Sequence, residues 1–434
     1  MKNQNFILKG HVLDSETPQS IRCHPNSYLI CKNGRVAGIF ASLPERYRHY
    51  PLTDWQDRLI IPGLVDLHLH APQYSFSGLN MDLELLDWLD QHAFPEEAKY
   101  ADMAYAQSAY GLFVDALVHS PTTRASIFST LHADSTLLLM DLLEKSGLHT
   151  YVGKTNMDRN APAILCEKDA AYSLEQTEAW LNRAKRFQFT HPILTPRFIP
   201  SCTDELMQGL ATLQKKYALP VQSHLSENPS EVDWVKALCP SCPSYAAAYS
   251  QYGFLGGDFP SIMAHCVYAT DDEIALMKQY NTFVAHCPQS NMNLSSGIAP
   301  IRRFIQAGLQ VGLATDMAGG HSLSMFRAIT DSVQTSKLFW RLLNEHEKPL
   351  TFPEAFYLAT KGGGAFFGSV GCFETGFAFD ALVLDDSTYP HVQSLSPLKR
   401  LERYAYIAEH TPLMAKYVEG RALLPAYNAN KSKK

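Results

Sequence analysis

The sequence predicts an α/β protein in which a long series of strand-then-helix units is framed by short strands at both ends of the chain. Three observations carry this: an opening strand-and-turn pattern, short apolar runs ending in polar or histidine residues and followed by amphipathic stretches, and a second strand-and-turn pattern near the end. With 434 residues, 46% hydrophobic and 18% charged, the composition is ordinary for a globular protein with one large core or two smaller ones. Disordered and fibrous classes are excluded.

Phe6 to Leu13 reads as the first strand, and Ser27 to Phe40 as a hairpin turning at Asn33-Gly34 between two apolar runs. From about residue 60 the pattern changes, beginning with Leu59-Ile-Ile-Pro-Gly-Leu-Val-Asp-Leu-His-Leu-His70. Similar endings recur at Pro220 to His224, Ser261 to His265, Thr282 to His286 and Val311 to Asp316, which predicts parallel strands with intervening helices. After Phe352 to Thr360 the helical pattern meets Lys361-Gly-Gly-Gly364, which is a helix-ending turn, since neither a P-loop nor a dinucleotide fingerprint is present. Gly371 to Asp385 and Lys416 to Leu424 return to strands and turns and could complete the opening β unit. The tail Asn428 to Lys434 is expected to be frayed.

Lys and Arg number 37 against 43 Asp and Glu, a net charge of -6, so no basic excess exists to grip nucleic acid or an anionic membrane. Phe6-Ile7-Leu8 is too short for the apolar region of a signal peptide, and no stretch approaches the ~18 apolar residues of a membrane span. Nine cysteines without a framework spacing fit a reduced, cytoplasmic chain, with Cys239 and Cys242 read as loop cysteines.

His68 and His70 alternate on one strand, so both imidazoles share a face and can grip one cation. An isolated pair of this kind is more often incidental than metal-binding. His224 closes another apolar run, followed by Glu227; His265 and Asp316 close two more. If these runs are strands of a parallel barrel, their ends converge at one rim, where three imidazoles and a carboxylate suit a divalent ion such as zinc. Such an ion acidifies a bound water, and Glu227 is then the natural base for its proton. His286, ahead of Cys287-Pro288, is a rival imidazole read as supporting or structural.

Several longer segments go further: Pro72-Gln73-Tyr74, Gly153 to Pro162, Pro196-Arg197-Phe198, and Ser223-His224-Leu-Ser-Glu227-Asn228. With the histidine and aspartate series, and over nearly the whole chain, they resemble the amidohydrolase superfamily and, within it, the guanine deaminases. The resemblance implies a (β/α)8 TIM-type barrel, residues 63–368, and a composite β-sandwich from segments 1–62 and 369–434. It implies one zinc ion held by His68, His70, His224 and Asp316, and hydrolytic deamination of guanine to xanthine and ammonia by metal-activated hydroxide. It further implies that Glu227 shuttles protons, that His265 orients the hydroxide, and that Asp316 helps pass a proton to the departing amine. Gln73, Arg197 and Phe198 become the purine-recognition residues, with His224, Glu227 and Asp316 also bordering substrate, and a homodimer is the expected assembly.

An arginine fork suits the O6 and N7 acceptors of guanine, Phe198 could cover a purine face, and Gln73 offers both a donor and an acceptor. Asp158 and Arg159 are expected to hold each other rather than touch substrate. His321 stands where threonine is expected and could alter the pocket rim. The alternative is a related deaminase of another purine, a pterin or a triazine. A cytidine-deaminase-type site is excluded, because no histidine has glutamate two residues on and Leu238 precedes Cys239. A barrel that binds without catalysis is disfavoured by the presence of every expected ligand and of Glu227.

Overall fold

The computed structural model describes residues 4–390, 392–408 and 412–424. The tail from residue 428 onward lies outside them. The chain opens with β1 (Phe6–Thr17), β2 (Ser20–Lys32), β3 (Arg35–Phe40) and β4 (Leu52–Pro62). Asn33 and Gly34 turn the expected hairpin, with left-handed φ angles of 53° and 76°, the backbone a two-residue turn of this kind requires. Successive side chains of these strands enter opposite apolar clusters: Leu8 and Leu29 in one, Ile7 and Ile30 in the other.

The middle of the chain supplies β5 (Leu64–His70), β6 (Thr122–Phe128), β7 (His149–Gly153), β8 (Thr155–Asn156), β9 (Thr190–Pro192) and β10 (Thr195–Pro196). These are followed by β11 (Val221–Leu225), β12 (Ser261–His265), β13 (Phe283–His286) and β14 (Gln310–Leu313). Two parallel four-stranded sheets result, in the orders β5-β6-β7-β9 and β11-β12-β13-β14, beside a short β8-β10 pair. A bridge between Leu194 and Val221 joins them on one side. On the other, the Asp316 backbone N–H donates to His68 O at 2.9 Å. β5, β6, β12 and β13 are buried at every position, as strands covered on both faces are.

Helices follow the strands where side chains start them. Asp102, Asp169 and Thr203 accept from first-turn backbone N–H groups of helices Met103–His119, Ala170–Ala184 and Asp204–Tyr217, and Thr270 with Glu273 forms a capping box for Asp271–Gln279. The Gly362-Gly-Gly364 segment continues in helical turns. A Cβ on Gly362 would lie 2.9 Å from Val311 O and one on Gly364 2.5 Å from Val370 O, so close approach to neighbouring backbone requires the glycines.

The chain closes with β15 (Ala381–Leu384), β16 (Ala415–Val418) and β17 (Arg421–Leu424). Both ends meet in one seven-stranded sheet of order β17-β16-β15-β4-β1-β2-β3. The closing segment, expected as strands and turns, also contains the helix Pro397–Ile407, begun by Ser396 and by proline in its first turn.

A buried ion pair fastens this sheet to the central strands. Arg124 on β6 donates from Nε to Asp380 Oδ2 at 2.6 Å and from Nη2 to Glu419 Oε1 at 3.2 Å, while Asp380 Oδ1 also accepts from Glu419 N at 2.8 Å. Replacing Asp380 by Ala leaves a buried guanidinium without its main partner and should lower the unfolding free energy by about 3–5 kcal/mol, read by urea denaturation.

Candidate active site

The side chains expected to act together stand at the ends of three strands and just beyond a fourth. His68 and His70 close β5, His224 lies near the end of β11, His265 ends β12, and Asp316 follows β14. The backbone bends sharply there: Ser226, His265, Cys266 and Asp316 have φ of 50°, 72°, 52° and 48°. Non-glycine residues in this region cost ~1–3 kcal/mol each and persist where surrounding structure enforces them.

Two buried imidazoles, His68 and His70, and the half-buried His224 converge with Asp316. His70 Nε2 faces His224 Nε2 at 3.2 Å, and Asp316 Oδ1 lies 3.1 Å from His68 Nε2 and 3.5 Å from His70 Nε2. His68 Nε2 nonetheless lacks an aligned hydrogen bond. Lone pairs crowded in this way fit ligands around a shared cation better than donor–acceptor pairs. Burial, then the neighbouring His68, holds His70 and His224 well below the ordinary imidazole range, leaving them neutral as ligation requires. Burial works against the charge of Asp316, yet His68, His265 and His70 hold its carboxyl well below the usual range. The His224 ring is oriented by Nδ1–H donating to Arg197 O at 2.7 Å, which turns Nε2 inward. His68, His224 and His265 form one group of converging ligand atoms, and His265, Cys287 and Asp316 another. Burial pushes the Cys287 thiol well above its ordinary range.

Glu227 stands beside this group. Its Oε2 lies 3.3 Å from His265 Nε2, and Oε1 accepts from Ser296 Oγ at 3.2 Å. Burial, with Asp316 and Glu231 nearby, pushes its carboxyl well above the ordinary range, which favours the protonated form. His265 Nδ1 is held at 3.0 Å by Asn291 Oδ1, and its Nε2 lies 3.7 Å from Asp316 Oδ2.

A small cavity opens over these groups. Every expected site residue lines it except His68, which is fully buried. Phe198 stands edge-on to Trp234 at 6.0 Å between centroids, while Leu85, Trp88 and Leu89 supply apolar wall from the 71–98 excursion after β5. Arg197, expected to present its fork to substrate, spends part of it within the protein: Nη1 donates to Glu97 Oε2 at 2.7 Å and Nη2 to Glu97 Oε1 at 3.1 Å.

Two expectations are corrected. Asp158 and Arg159 do not hold each other: Asp158 accepts from Thr203 N at 2.7 Å, and Arg159 donates to the carbonyls of Ile199 and Pro200. Helix and loop starts take up their charges instead. His321 does not line the cavity; it is exposed, 3.1 Å from Asn293 Nδ2, and borders a neighbouring cleft. His286 is buried near His265 but outside the cavity, and burial lowers its pKa to about 3. The nine cysteines are all free, Cys239 and Cys242 among them. Glu97, Glu231 and Asn291 were not anticipated. Asn291 had a signal, since it lies in the helix Pro288–Asn293 directly after a histidine-ended strand; Glu97, in Pro95-Glu-Glu-Ala98, reads as ordinary surface charge.

Residues 59–412 match the amidohydrolase family model. The chain belongs to the amidohydrolase family. It is 38% identical over 384 residues to the guanine deaminase of Dictyostelium discoideum, covering 85% of this chain and 83% of that one. Identity to the guanine deaminase of Escherichia coli (strain K12) is 31% over 435 residues, 96% of each. Among solved structures it resembles guanine deaminase from C. acetobutylicum with guanine bound in the active site, with 43% identity, a TM-score of 0.93, and coverage of 97% of this chain and 100% of that one. As an amidohydrolase it is a hydrolytic enzyme. No helix among the described residues is long and apolar enough to cross a membrane.

Asn291 touches His265, not His68, His70, His224 or Asp316. Replacing it by Ala frees His265 Nδ1 and should reduce turnover about 10–100-fold with bound metal unchanged, checked by assaying activity and metal content on the same preparation.

Proposed function

We propose that this enzyme hydrolyses guanine to xanthine and ammonia with one zinc ion per chain. The observation that carries the reading is one small cavity lined both by His70, His224, Glu227, His265 and Asp316 and by Gln73, Arg197 and Phe198. The guanine deaminase relatives support the substrate. The parallel strands are read as one (β/α)8 barrel, residues 63–368, with the sheet from 1–62 and 369–434 as its β-sandwich domain. A cytoplasmic location, read from the cysteine usage, and a homodimer, which rests on the family resemblance, belong to the same proposal.

His68, His70, His224 and Asp316 would hold the zinc. When bound, zinc lowers the pKa of a water toward neutrality and so supplies the nucleophile. Glu227 takes the proton released at the attacking oxygen and delivers it to the ring nitrogen beside the amine-bearing carbon. His265 orients that oxygen by hydrogen bonding and steadies the charge developing on the attacked centre. Asp316 passes the remaining proton toward the leaving amine. One C–O bond forms and one C–N bond breaks, so guanine and water become xanthine and ammonia. Phe198 covers the ring face, while the N–H groups left on Arg197 and Gln73 meet its acceptor edge.

Zinc content and ammonia release from guanine, adenine, cytosine and 8-azaguanine, measured on one preparation, test the reading. About one zinc per chain with guanine preferred is the expected result. Zinc with guanine inert would overturn the substrate and turn attention to other purines, pterins and triazines. Glu227→Gln should retain zinc and lose turnover by at least the ~10²–10⁴-fold typical of general acid–base help; near-normal activity would remove Glu227 from the proton path. Arg197→Ala should weaken guanine more than a purine lacking O6, and equal losses would show that Arg197 does not read that edge.

A further inference from the structure

We infer that Glu97 decides which purine edge the cavity accepts, acting as a positioning residue through Gln73 and Arg197. The inference rests on the guanine reading and deepens it. Glu97 lies on the helix Phe94–Ala98 in the excursion after β5, is 1% exposed, and does not line the cavity. It stands behind two residues that do. Besides its two bonds from Arg197, its Oε1 accepts from Gln73 Nε2 at 2.8 Å. Gln73 Oε1 in turn accepts from Ala318 N at 3.2 Å.

This wiring removes the ambiguity of a glutamine. Turning the Gln73 amide over would set its oxygen against the carboxylate and its NH2 against the Ala318 N–H, two repulsive contacts in place of two bonds. Gln73 is therefore locked, with one N–H still to offer. Arg197 keeps Nε–H and one N–H on each terminal nitrogen, while Glu97 balances its charge. Its guanidinium carbon also sits 4.9 Å from the Phe94 ring centroid, so the fork is held from two directions. The wall is thus a fixed set of donors whose ionic charge is matched. It suits a neutral ring with a carbonyl acceptor and rejects one carrying an amine there, because a donor facing donors leaves buried polar groups unpaired. Released from Glu97, Gln73 could turn its oxygen toward such an amine.

The test compares wild type with Glu97→Gln, measuring kcat and KM for guanine, inhibition by 2,6-diaminopurine, which replaces O6 by an amine, and bound zinc. The expected result is a roughly 10- to 100-fold loss of guanine preference over 2,6-diaminopurine, carried by KM and the inhibition constant, with kcat and zinc changed by less than about threefold. In a Gln73→Ala background the same substitution should alter preference far less, since the residue through which it acts is gone. If Glu97→Gln does not fold, Glu97→Asp keeps the buried charge on a shorter arm and should still lose preference. Unchanged preference in the folded variant, or a fall confined to kcat, overturns the inference and leaves the guanine reading standing. A wild-type enzyme inert on guanine overturns that reading and this inference with it.

Discussion

The site depends on the seam where β14 returns to β5. His68 and His70 belong to the first strand of the parallel set and Asp316 to the loop after the last, so convergence requires the two ends of that set to meet. One buried carboxylate stitches them: Asp66 accepts from Thr315 Oγ1 at 2.5 Å, from Thr315 N at 3.1 Å and from His68 N at 3.2 Å. The Asp316 N–H to His68 O bond continues the seam to the site. The approach is so close that a Cβ on Gly312 would meet Leu67 Cδ1 at 2.5 Å and Gly363 Cα at 2.8 Å. Glycines far apart in sequence therefore serve one joint, and the converging ligand group is its product.

Within that frame two buried carboxylates acquire opposite characters. Asp316, surrounded by imidazoles, is held well below the usual carboxyl range, whereas Glu227, buried near Asp316 and Glu231, is raised well above it. His265 lies between them, its tautomer set by Asn291. Elsewhere on the cavity, Arg197 and Gln73 take a shared partner inside the protein, both donating to Glu97. The converging histidines and Asp316 thus stand on and just beyond strand ends, while Gln73, Leu85, Trp88 and Leu89 reach the cavity from a helical excursion between β5 and β6.

The parallel set was legible because its strands end in unusual residues: His68, His70, His224, His265 and Asp316 interrupt apolar runs at one end, which periodicity alone exposes. The Asn33-Gly34 hairpin was equally plain, since few residue pairs take two left-handed angles. Glu97 was invisible for the converse reason. A glutamate in an acidic helical stretch looks solvated, and only a guanidinium 100 residues away reveals that it is buried. The exchange of partners at Asp158 and Arg159 has the same cause: adjacent opposite charges suggest a pair, but unpaired backbone groups at the Thr203 helix start and at Ile199–Pro200 claim them first. Helix Pro397–Ile407 carries a clear start signal in Ser396-Pro397, overshadowed by the strand patterns around it.

The seven-stranded sheet has a consequence for synthesis. β4 lies between β1 and β15, and β15 is not made until the entire parallel set has left the ribosome. At ~5–20 residues per second, a bare strand edge of Leu59, Ile60 and Ile61 waits for tens of seconds without its partner. Unpaired apolar edges recruit other chains. The interval between Pro62 and Ala381 is therefore the period in which a nascent chain is most exposed to misassembly, and the last strands act as the clasp that ends it.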